Sequence, residues 1–462
     1  MKKHSVHIVS LGCPKNLVDT EVISGNLLKK GIGLSADPDS ADVFLVNTCA
    51  FLSSARDEAS EWIQKGVNWK KKSPRFRRIV VSGCVSEWDR TGEFRKKYPE
   101  VDIWSRVDDI GVLGEKIEKL FMSGKETSAM VPPCSKAPEF LYDEKTPRLQ
   151  LTPRHYAYLK ISDGCSNRCS YCLIPEIRGK LRSRTVNSIL KEAENLISNG
   201  VYELILIAQD TTAFGLDAKS GHDDICTLLE KLDSIKKENF KIRLMYTHPA
   251  HITGKLLDIV KNASHIMPYL DIPLQHISDR ILKRMKRKIS GDEIRSILHE
   301  ARKTIPGLAI RTTFITGFPG EQESDSQELQ EFVAKEKFER LGAFAYSPEP
   351  GTESANFTDQ IPLETAEKRR DAIMELQAGI SLKANKKLVG RNFDVIIDDI
   401  DNDAAYGRTY MDAPEIDNSV TIRQKTGIEK GTVIKCRITG AEEYNLHAIQ
   451  CYTPLGRHVK PA

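Results

Sequence analysis

Residues 165–172 read CSNRCSYC, a stretch that places three cysteines at the spacing C-x3-C-x2-C: Cys165, Cys169 and Cys172. Three thiolates at this spacing can hold three corners of a cubane iron–sulfur cluster. A 4Fe-4S cluster normally takes four cysteines, so a local triplet leaves one iron without a protein ligand. A zinc site would need a fourth ligand, and no further Cys or His lies close by in the sequence. The triplet therefore predicts a 4Fe-4S cluster with one open coordination position.

The segment around this triplet alternates strand-like and helical patterns. A strand predicted over 156–161 directly precedes Cys165, and five more are predicted over 203–208, 242–246, 269–272, 308–316 and 342–346. Helices are predicted between most of them, including 186–198, 225–236 and 253–262, and a long one follows over 363–388. Six β/α units predict an incomplete parallel β/α barrel. Such barrels carry their chemistry at the carboxyl ends of the strands, which places the cluster at the barrel mouth.

A second set of cysteines lies in the first part of the chain. Strands predicted over 6–10, 43–46 and 79–81 alternate with helices over 17–30 and 53–65, which is typical of an open parallel α/β sheet. Cys13, Cys49 and Cys84 each follow one of these strands. Ligands of open α/β sheets bind outside the carboxyl ends of the strands, so the three thiols are expected to converge. The alternative, three separately buried structural cysteines, stays open at this point.

The chain is thus expected to be an α/β protein with several units. After Gly390 the pattern changes to five short strands without helices, which predicts a small β-barrel of OB-like type. A proline-rich stretch predicts an interdomain linker. The predicted limits are an N-terminal domain over 1–122, a linker over 123–153, a barrel domain over 154–388 and a C-terminal barrel over 389–462.

Composition restricts the class of protein. The 462 residues are 40% hydrophobic and 29% charged, as in globular proteins, and the net charge of +4 argues for neither a nucleic-acid nor a membrane partner. No secretory signal pattern and no apolar run of membrane-spanning length is seen, so a cytoplasmic location without membrane attachment is expected. In a reducing compartment clustered cysteines favour metal ligation over disulfides. Cys134, Cys226, Cys436 and Cys451 lack such a cluster and are expected to be structural.

The C-x3-C-x2-C stretch after the first barrel strand resembles the radical S-adenosylmethionine (SAM) superfamily. The contexts Leu-Gly-Cys, Asn-Thr-Cys and Ser-Gly-Cys of Cys13, Cys49 and Cys84 resemble the N-terminal domain of its methylthiotransferases. The C-terminal barrel resembles the TRAM domain, so the resemblance spans the whole chain. It implies a SAM-binding 4Fe-4S cluster on the Cys165 triplet and an auxiliary 4Fe-4S cluster on the Cys13 triplet. It also implies one SAM as methyl donor, a second as radical source, and a reductase or a flavodoxin- or ferredoxin-type protein as electron donor.

The resemblance further implies which residues contact SAM. The positions that match family elements are Tyr171, Arg184, Gln209, Asp210 and Gln275. No catalytic residue is assigned beyond the cluster ligands. His248 and His276 lie in similar family elements, but they are equally explained as hydrogen-bonded structural residues.

Two motifs indicate the branch of the family. Residues 10–19 read SLGCPKNLVD and residues 208–212 read AQDTT. Both resemble the branch that adds a methylthio group to the β-carbon of an aspartate in ribosomal small-subunit protein twelve. The branch that modifies adenosine in transfer RNA typically has Gly-Cys-Gln-Met-Asn and Gln-Asn at these places. Transfer RNA modification by the same chemistry is the alternative.

The charge of the predicted C-terminal barrel points the same way. Between Asp394 and Asp417 eight carboxylates oppose only Arg408, a local charge of −7. Such a stretch repels phosphates and complements a basic ribosomal protein. Two alternatives stay open: a solvated acidic loop, and an RNA-contacting face formed by Lys425, Lys430, Lys435 and Arg437.

Overall fold

The computed structural model describes residues 4–73, 76–123, 137–218, 223–237, 239–423 and 427–451. Much of the predicted linker, Cys134, Lys425 and the last eleven residues of the predicted C-terminal domain therefore lie outside the described residues. In the part of the chain that is described, no helix is long and apolar enough to cross a lipid bilayer.

The first unit is a parallel sheet of five strands in the order β2-β1-β3-β4-β5. Its strands are β1 (Ser5–Ser10), β2 (Gly33–Leu34), β3 (Val43–Thr48), β4 (Arg78–Gly83) and β5 (Ile103–Ser105). Its helices are α1 (Pro14–Lys29), α2 (Ser53–Lys71), α3 (Cys84–Trp88), α4 (Glu93–Lys97) and α5 (Leu113–Ser123). The predicted open parallel sheet is confirmed. The edge strands β2 and β5 were not predicted, because two or three residues are too few to show a strand period.

The second unit is a parallel sheet of six strands, which form an incomplete barrel in the order β13-β12-β11-β10-β9-β6. These strands are β6 (Tyr156–Lys160), β9 (Glu203–Ile207), β10 (Lys241–Leu244), β11 (Ile266–Gln275), β12 (Ala309–Thr316) and β13 (Arg340–Ala345). A small antiparallel sheet of two strands, β7 (Ser162–Asp163) and β8 (Arg182–Ser183), flanks the segment that carries the Cys165 triplet. All six predicted strands are present, each within three residues of its predicted bounds at the start and the end.

Helices cover the outer face of this central sheet. They are α7 (Val186–Ser198), α8 (Ile225–Asp233), α9 (Gly254–Asn262), α10 (Asp279–Arg284), α11 (Gly291–Thr304), α12 (Glu323–Glu336) and α13 (Leu363–Lys386), whereas the short helix α6 (Ile174–Arg178) packs against the N-terminal unit. The apolar core of the unit lies between them and the sheet. A second apolar cluster lies on the inner side of the sheet and includes Tyr158, Ile205 and Tyr269 together with Val22 of α1 and Met411 of the C-terminal barrel.

The third unit is a closed barrel of five strands, which confirms the predicted OB-like architecture. Its strands are β14 (Asn392–Ile400), β15 (Ala405–Arg408), β16 (Ser419–Ile422), β17 (Val433–Ala441) and β18 (Asn445–Gln450). Alternate residues of β14 and β17 point into a small apolar core that includes Val395, Ile397 and Cys436. This alternation is what two-faced antiparallel strands require.

Buried charges join the barrel to the central sheet. Glu203, at the start of β9, accepts hydrogen bonds from Arg243 Nε at 2.6 Å and from Arg408 Nη1 at 2.8 Å. Arg408 Nε also donates to Asp398 Oδ2 at 2.7 Å, and Asp398 hydrogen-bonds with His155 at 2.8 Å. Although burial opposes ionisation, Arg243 and Arg408 hold the pKa of Glu203 below its ordinary value. Glu203 is therefore a buried carboxylate shared by the two units.

This arrangement limits how much of the acidic stretch between Asp394 and Asp417 can form a surface. Asp412 accepts a hydrogen bond from Arg340 at 2.8 Å, and Asp417 accepts one from Tyr269 at 2.7 Å. Both side chains are nearly inaccessible to solvent, because they bond to residues of the central sheet. Three of the eight carboxylates, Asp398, Asp412 and Asp417, are thus used inside the protein. The exposed remainder is Asp394, Asp399, Asp401, Asp403 and Glu415.

We predict that Glu203→Ala destabilises the protein, because it leaves two buried guanidinium groups without their shared carboxylate. Removing one partner of a buried charge pair costs about 3–5 kcal/mol. Urea denaturation followed by circular dichroism measures the effect. Glu230→Ala is the matched control, since Glu230 is half exposed and its contact with Lys255 is 3.6 Å long. Equal midpoints for the two variants would contradict the structural role of Glu203.

Candidate functional site

The first cysteine triplet lies at the carboxyl ends of neighbouring strands, as the sequence pattern predicts. Cys13 follows β1, Cys49 follows β3 and Cys84 follows β4. Gly12 allows the first two loops to meet: its φ is +90°, and a Cβ there would lie 2.5 Å from Cys49 Cβ. Any larger residue would push the two cysteines apart.

The second triplet follows the hairpin strand β7 in a loop that backbone bonds hold closed. Gly164 has a φ of +77°, and a Cβ there would lie 2.1 Å from the carbonyl oxygen of Lys180. Cys165 N donates to the carbonyl of Gly179 at 3.1 Å, and Cys172 N donates to that of Cys169 at 3.1 Å. The loop therefore turns back on itself and presents all three sulfurs to one side.

Both triplets line one cavity of about 390 Å³. The carboxyl ends of the N-terminal sheet face those of the central sheet across it. Its wall includes Gly12, Cys13, Lys15, Cys49, Cys84, Cys165, Asn167, Cys169, Tyr171, Cys172, Arg178, Gln209, Tyr246, His248, Gln275 and Arg287. A single cavity thus brings together six thiols that are separated by up to 159 positions in the chain.

Four of the six thiols, those of Cys49, Cys84, Cys165 and Cys172, are held in surroundings that disfavour free thiolates. Burial, with the neighbouring thiols adding to it, raises the pKa of Cys84 to about 12. Burial raises the pKa of Cys165 to about 11, and the pKa of Cys172 also lies well above its ordinary value. Thiolates can persist here only beside positive charge, which bound iron supplies. Two converging sets of three thiols are the donors that iron–sulfur clusters require, so the chemistry of the site fits two clusters.

Cationic side chains reach one sulfur of each triplet. Arg178 Nη2 donates to Cys84 Sγ at 3.2 Å, and Arg287 Nη1 lies 3.8 Å from Cys169 Sγ. Both guanidinium groups are buried. Hydrogen bonds to the sulfurs of a cluster influence its reduction potential, so these two arginines are placed to tune it.

A buried cluster of four charges joins the two sides of the cavity. Lys160 Nζ donates to Asp19 at 2.6 Å and to Asp163 at 3.1 Å. Arg178 Nη1 donates to Asp19 at 2.6 Å and lies 3.4 Å from Asp163. Although burial opposes it, Lys160 and Arg178 hold the pKa of Asp163 below its ordinary value. Asp19 belongs to α1 of the first sheet, so this cluster fixes the two triplets relative to one another.

Three of the five predicted SAM contacts line the cavity: Tyr171, Gln209 and Gln275. Gln209 Nε2 donates to Asp163 at 2.9 Å, whereas its buried Oε1 has no partner among the described residues. Gln275 has a φ of +72°, a left-handed conformation at the end of β11. An unpaired buried acceptor in the wall is what a polar cofactor with donor groups would satisfy.

The other two predicted contacts, Arg184 and Asp210, lie behind the wall. Arg184 donates to Glu192 at 2.5 Å and to Ser188 at 2.9 Å. Asp210 is near His248 and His251, but both of its oxygens already accept hydrogen bonds. Its partners are Asn167, Thr212, the Ala213 backbone and His251. Their contact with SAM stays a prediction, as does the role of every residue predicted to bind a cofactor.

The sequence analysis did not single out Lys15 or Arg287 as site residues. Lys15 lies in the first turn of α1, two positions after Cys13, and the quoted stretch SLGCPKNLVD contains it. A lysine two positions after a predicted cluster ligand was the available signal. Arg287 has no such signal, because it follows α10 and is far from both triplets in the chain.

Three family descriptions match the chain in the order of its three units. Residues 5–105 match the uncharacterized protein family UPF0004, residues 159–333 match the radical SAM superfamily and residues 389–450 match the TRAM domain. Two solved structures share the fold at low identity. They are the cobalamin-dependent S-adenosylmethionine radical enzyme OxsB (14% identity, TM-score 0.55, 81% of this chain and 56% of that chain) and the radical S-adenosylmethionine methyltransferase TsrM from Kitasatospora setae (12% identity, TM-score 0.55, 87% and 79%).

Curated relatives match over nearly the whole length. The ribosomal protein uS12 methylthiotransferase RimO of Syntrophus aciditrophicus is 42% identical over 97% of this chain and 98% of its own. The enzymes of the same name from Carboxydothermus hydrogenoformans and Clostridium botulinum are 44% and 40% identical, over 95% and 96% of this chain and 98% of each of theirs. Identity at this level along the full chain establishes the family. The chain belongs to the RimO family of radical SAM methylthiotransferases.

Proposed function

We propose that this protein adds a methylthio group to the β-carbon of an aspartate in ribosomal protein uS12, with two 4Fe-4S clusters and SAM as cofactors. The observation that carries the proposal is the single cavity lined by both cysteine triplets. The full-length relatives are named as uS12 enzymes, so modification of transfer RNA is not favoured. The structure weakens the separate argument from an acidic barrel surface, and the proposal does not depend on it.

The two cysteine triplets, on opposite sides of the cavity, are assigned different clusters. We assign Cys165, Cys169 and Cys172 to the SAM-binding cluster and Cys13, Cys49 and Cys84 to the auxiliary cluster. When bound, the clusters and SAM supply the one-electron chemistry that removes hydrogen from an unactivated carbon and the methylthio group that replaces it.

The position of both triplets in one cavity makes this reaction feasible. Groups held in the same site react in an effectively intramolecular step. The buried charges of Asp19, Lys160, Asp163 and Arg178 hold the two sides at a fixed separation. Tyr171, Gln209 and Gln275 form the part of the wall that we assign to SAM. Arg184 and Asp210 would then contribute indirectly, because they position the loops that form the SAM-binding part of the wall.

The partners beyond the substrate are also proposals. A reductase or a flavodoxin- or ferredoxin-type protein would supply the electron. We also propose the domain limits predicted from the sequence. They are an N-terminal domain over 1–122, a linker over 123–153, a barrel domain over 154–388 and a C-terminal barrel over 389–462. A ribosomal protein substrate supports the predicted cytoplasmic location.

The two triplets predict different defects when one cysteine is removed. Cys169→Ala should abolish formation of 5′-deoxyadenosine from SAM under reducing, anaerobic conditions. Cys49→Ala should lower the iron content and retain 5′-deoxyadenosine formation, but lose the methylthio product. Cys226→Ala is the matched control, because this cysteine is buried among the core residues of the central unit and away from the cavity. If Cys49→Ala still made the methylthio product, the auxiliary-cluster assignment would be wrong.

The substrate is tested in cells that lack the gene. We expect mass spectrometry of ribosomal protein uS12 to show an unmodified aspartate in these cells and a methylthio-aspartate after complementation. Nucleoside analysis of transfer RNA from the same cells should show no change. Loss of a methylthio-adenosine with uS12 unaffected would reverse the assignment of substrate.

Arg178→Lys should lower the reduction potential of the auxiliary cluster. The substitution keeps a cation but removes the bond from Arg178 Nη2 to Cys84, and a nearby hydrogen-bond donor favours the reduced, more negative cluster. We expect a shift on the order of tens of millivolts, since 59 mV corresponds to a tenfold change for one electron.

Redox titration followed by electron paramagnetic resonance measures this shift. Arg90→Lys is the control. Arg90 forms an ion pair with Glu176, which lies on α6 like Arg178, but both of these side chains are exposed. An unchanged potential in Arg178→Lys would contradict the tuning role.

A further inference from the structure

Lys15 places a buried ammonium group inside the cavity. It occupies the first turn of α1 directly behind Cys13, and only 9% of the residue is exposed. Its side chain contributes to the wall that both triplets line. A charge in this position costs free energy unless an opposite charge accompanies it.

Two of the other buried cations near the cavity, Lys160 and Arg178, have such partners, whereas Arg287 bonds to the Pro273 carbonyl and lies near Cys169. Lys160 and Arg178 are both bonded to Asp19, which neutralises them inside the wall. Lys15 forms no ion pair with any carboxylate among the residues that the structure describes. Its close contact is the ring of Tyr246, whose centroid lies 3.3 Å from Nζ, and the nearby Asp271 carboxylate also attracts the cation. A ring face carries no net charge, and Asp271 forms its ion pair with Arg311, so no carboxylate in the described part of the chain is paired directly with the ammonium.

The ammonium is also held in place. Tyr246 has a φ of +60°, a conformation rare for a residue with a side chain. Two hydrogen bonds keep it there: Tyr246 N donates to the Asp271 side chain (Oδ2) at 2.9 Å, and its carbonyl accepts from Thr211 N at 3.0 Å. The ring therefore supports Lys15 from one side, and both residues contribute to the cavity wall.

The chemistry of an aspartate substrate matches this cation. In aspartate the carboxylate is bonded directly to the β-carbon, so an ion pair at the carboxylate fixes the carbon that reacts. Because Lys15 lies two positions after Cys13 in the same cavity wall, such a pair would hold the β-carbon on the side where we place the auxiliary cluster. Asparagine has nearly the same shape but offers a neutral amide.

We propose that Lys15 is the residue that binds the carboxylate of the target aspartate and makes the enzyme select aspartate over asparagine. This inference rests on the proposed function, because it takes the substrate to be an aspartate side chain.

The test compares two fluorescent peptides that carry the uS12 target segment, one with the native aspartate and one with asparagine in its place. Their affinities for anaerobic enzyme loaded with both clusters and SAM are measured by anisotropy. Wild-type protein should bind the aspartate peptide at least tenfold more tightly, as expected for a partly desolvated charge pair. In Lys15→Met and Lys15→Gln the two affinities should become equal within about twofold, through weaker binding of the aspartate peptide.

Lys29→Met is the matched control, because Lys29 is an exposed lysine on the same helix α1. It should retain the full preference for the aspartate peptide. Iron and sulfide are quantified in each variant, and the same ratio is measured for kcat/KM wherever turnover is detectable.

Three results would overturn the inference. An aspartate preference that persists in both Lys15 variants would show that another group binds the carboxylate. Equal weakening for both peptides would indicate a structural role, and loss of iron would indicate that Lys15 balances the charge of the cluster. By contrast, a wild-type enzyme that methylthiolates transfer RNA but not the peptide would overturn the proposed function itself.

Discussion

Four buried charges lie where the N-terminal sheet meets the central sheet: the carboxylates of Asp19 and Asp163 and the cations of Lys160 and Arg178. Two positive and two negative groups balance, so the cluster can be buried without a net charge. Its geometry is more restrictive than that of an apolar contact, because hydrogen bonds fix direction as well as distance. Arg178 extends the same cluster to Cys84, and Gln209 extends it from Asp163 to the opposite wall. The relative position of the two cysteine triplets therefore depends on this one group of bonds.

Polar bonds at this boundary have a physical reason. Two sheets that packed only through apolar side chains could slide over one another at small cost. A reaction between groups held on separate sheets tolerates little such movement, since a displacement of about 1 Å can lower a rate by about a hundredfold. The buried charges cost desolvation energy but define one register between the sheets, which is the best supported role of such groups.

The strands and the six clustered cysteines could be predicted because they produce patterns in the sequence. Buried parallel strands are continuous apolar runs, and the cysteines follow them at positions that the topology of α/β sheets brings together. Lys15 and Arg287 could not be predicted to face the cavity, since the direction of a side chain at a loop or helix start depends on contacts from distant segments. The acidic run of the barrel shows the same limit. Sequence indicates its charge, but only the packing shows that Asp412 and Asp417 meet Arg340 and Tyr269.

The shared carboxylate Glu203 has a consequence for how such proteins can evolve. C-terminal barrels are often regarded as modules that chains gain, lose or exchange. Here the barrel contributes Arg408 to Glu203, and the central sheet contributes Arg340 to Asp412 of the barrel. A chimera with a foreign barrel would leave charged groups of the central sheet buried and unmatched. The barrel and the sheet are therefore expected to have been inherited together, as one unit of recombination.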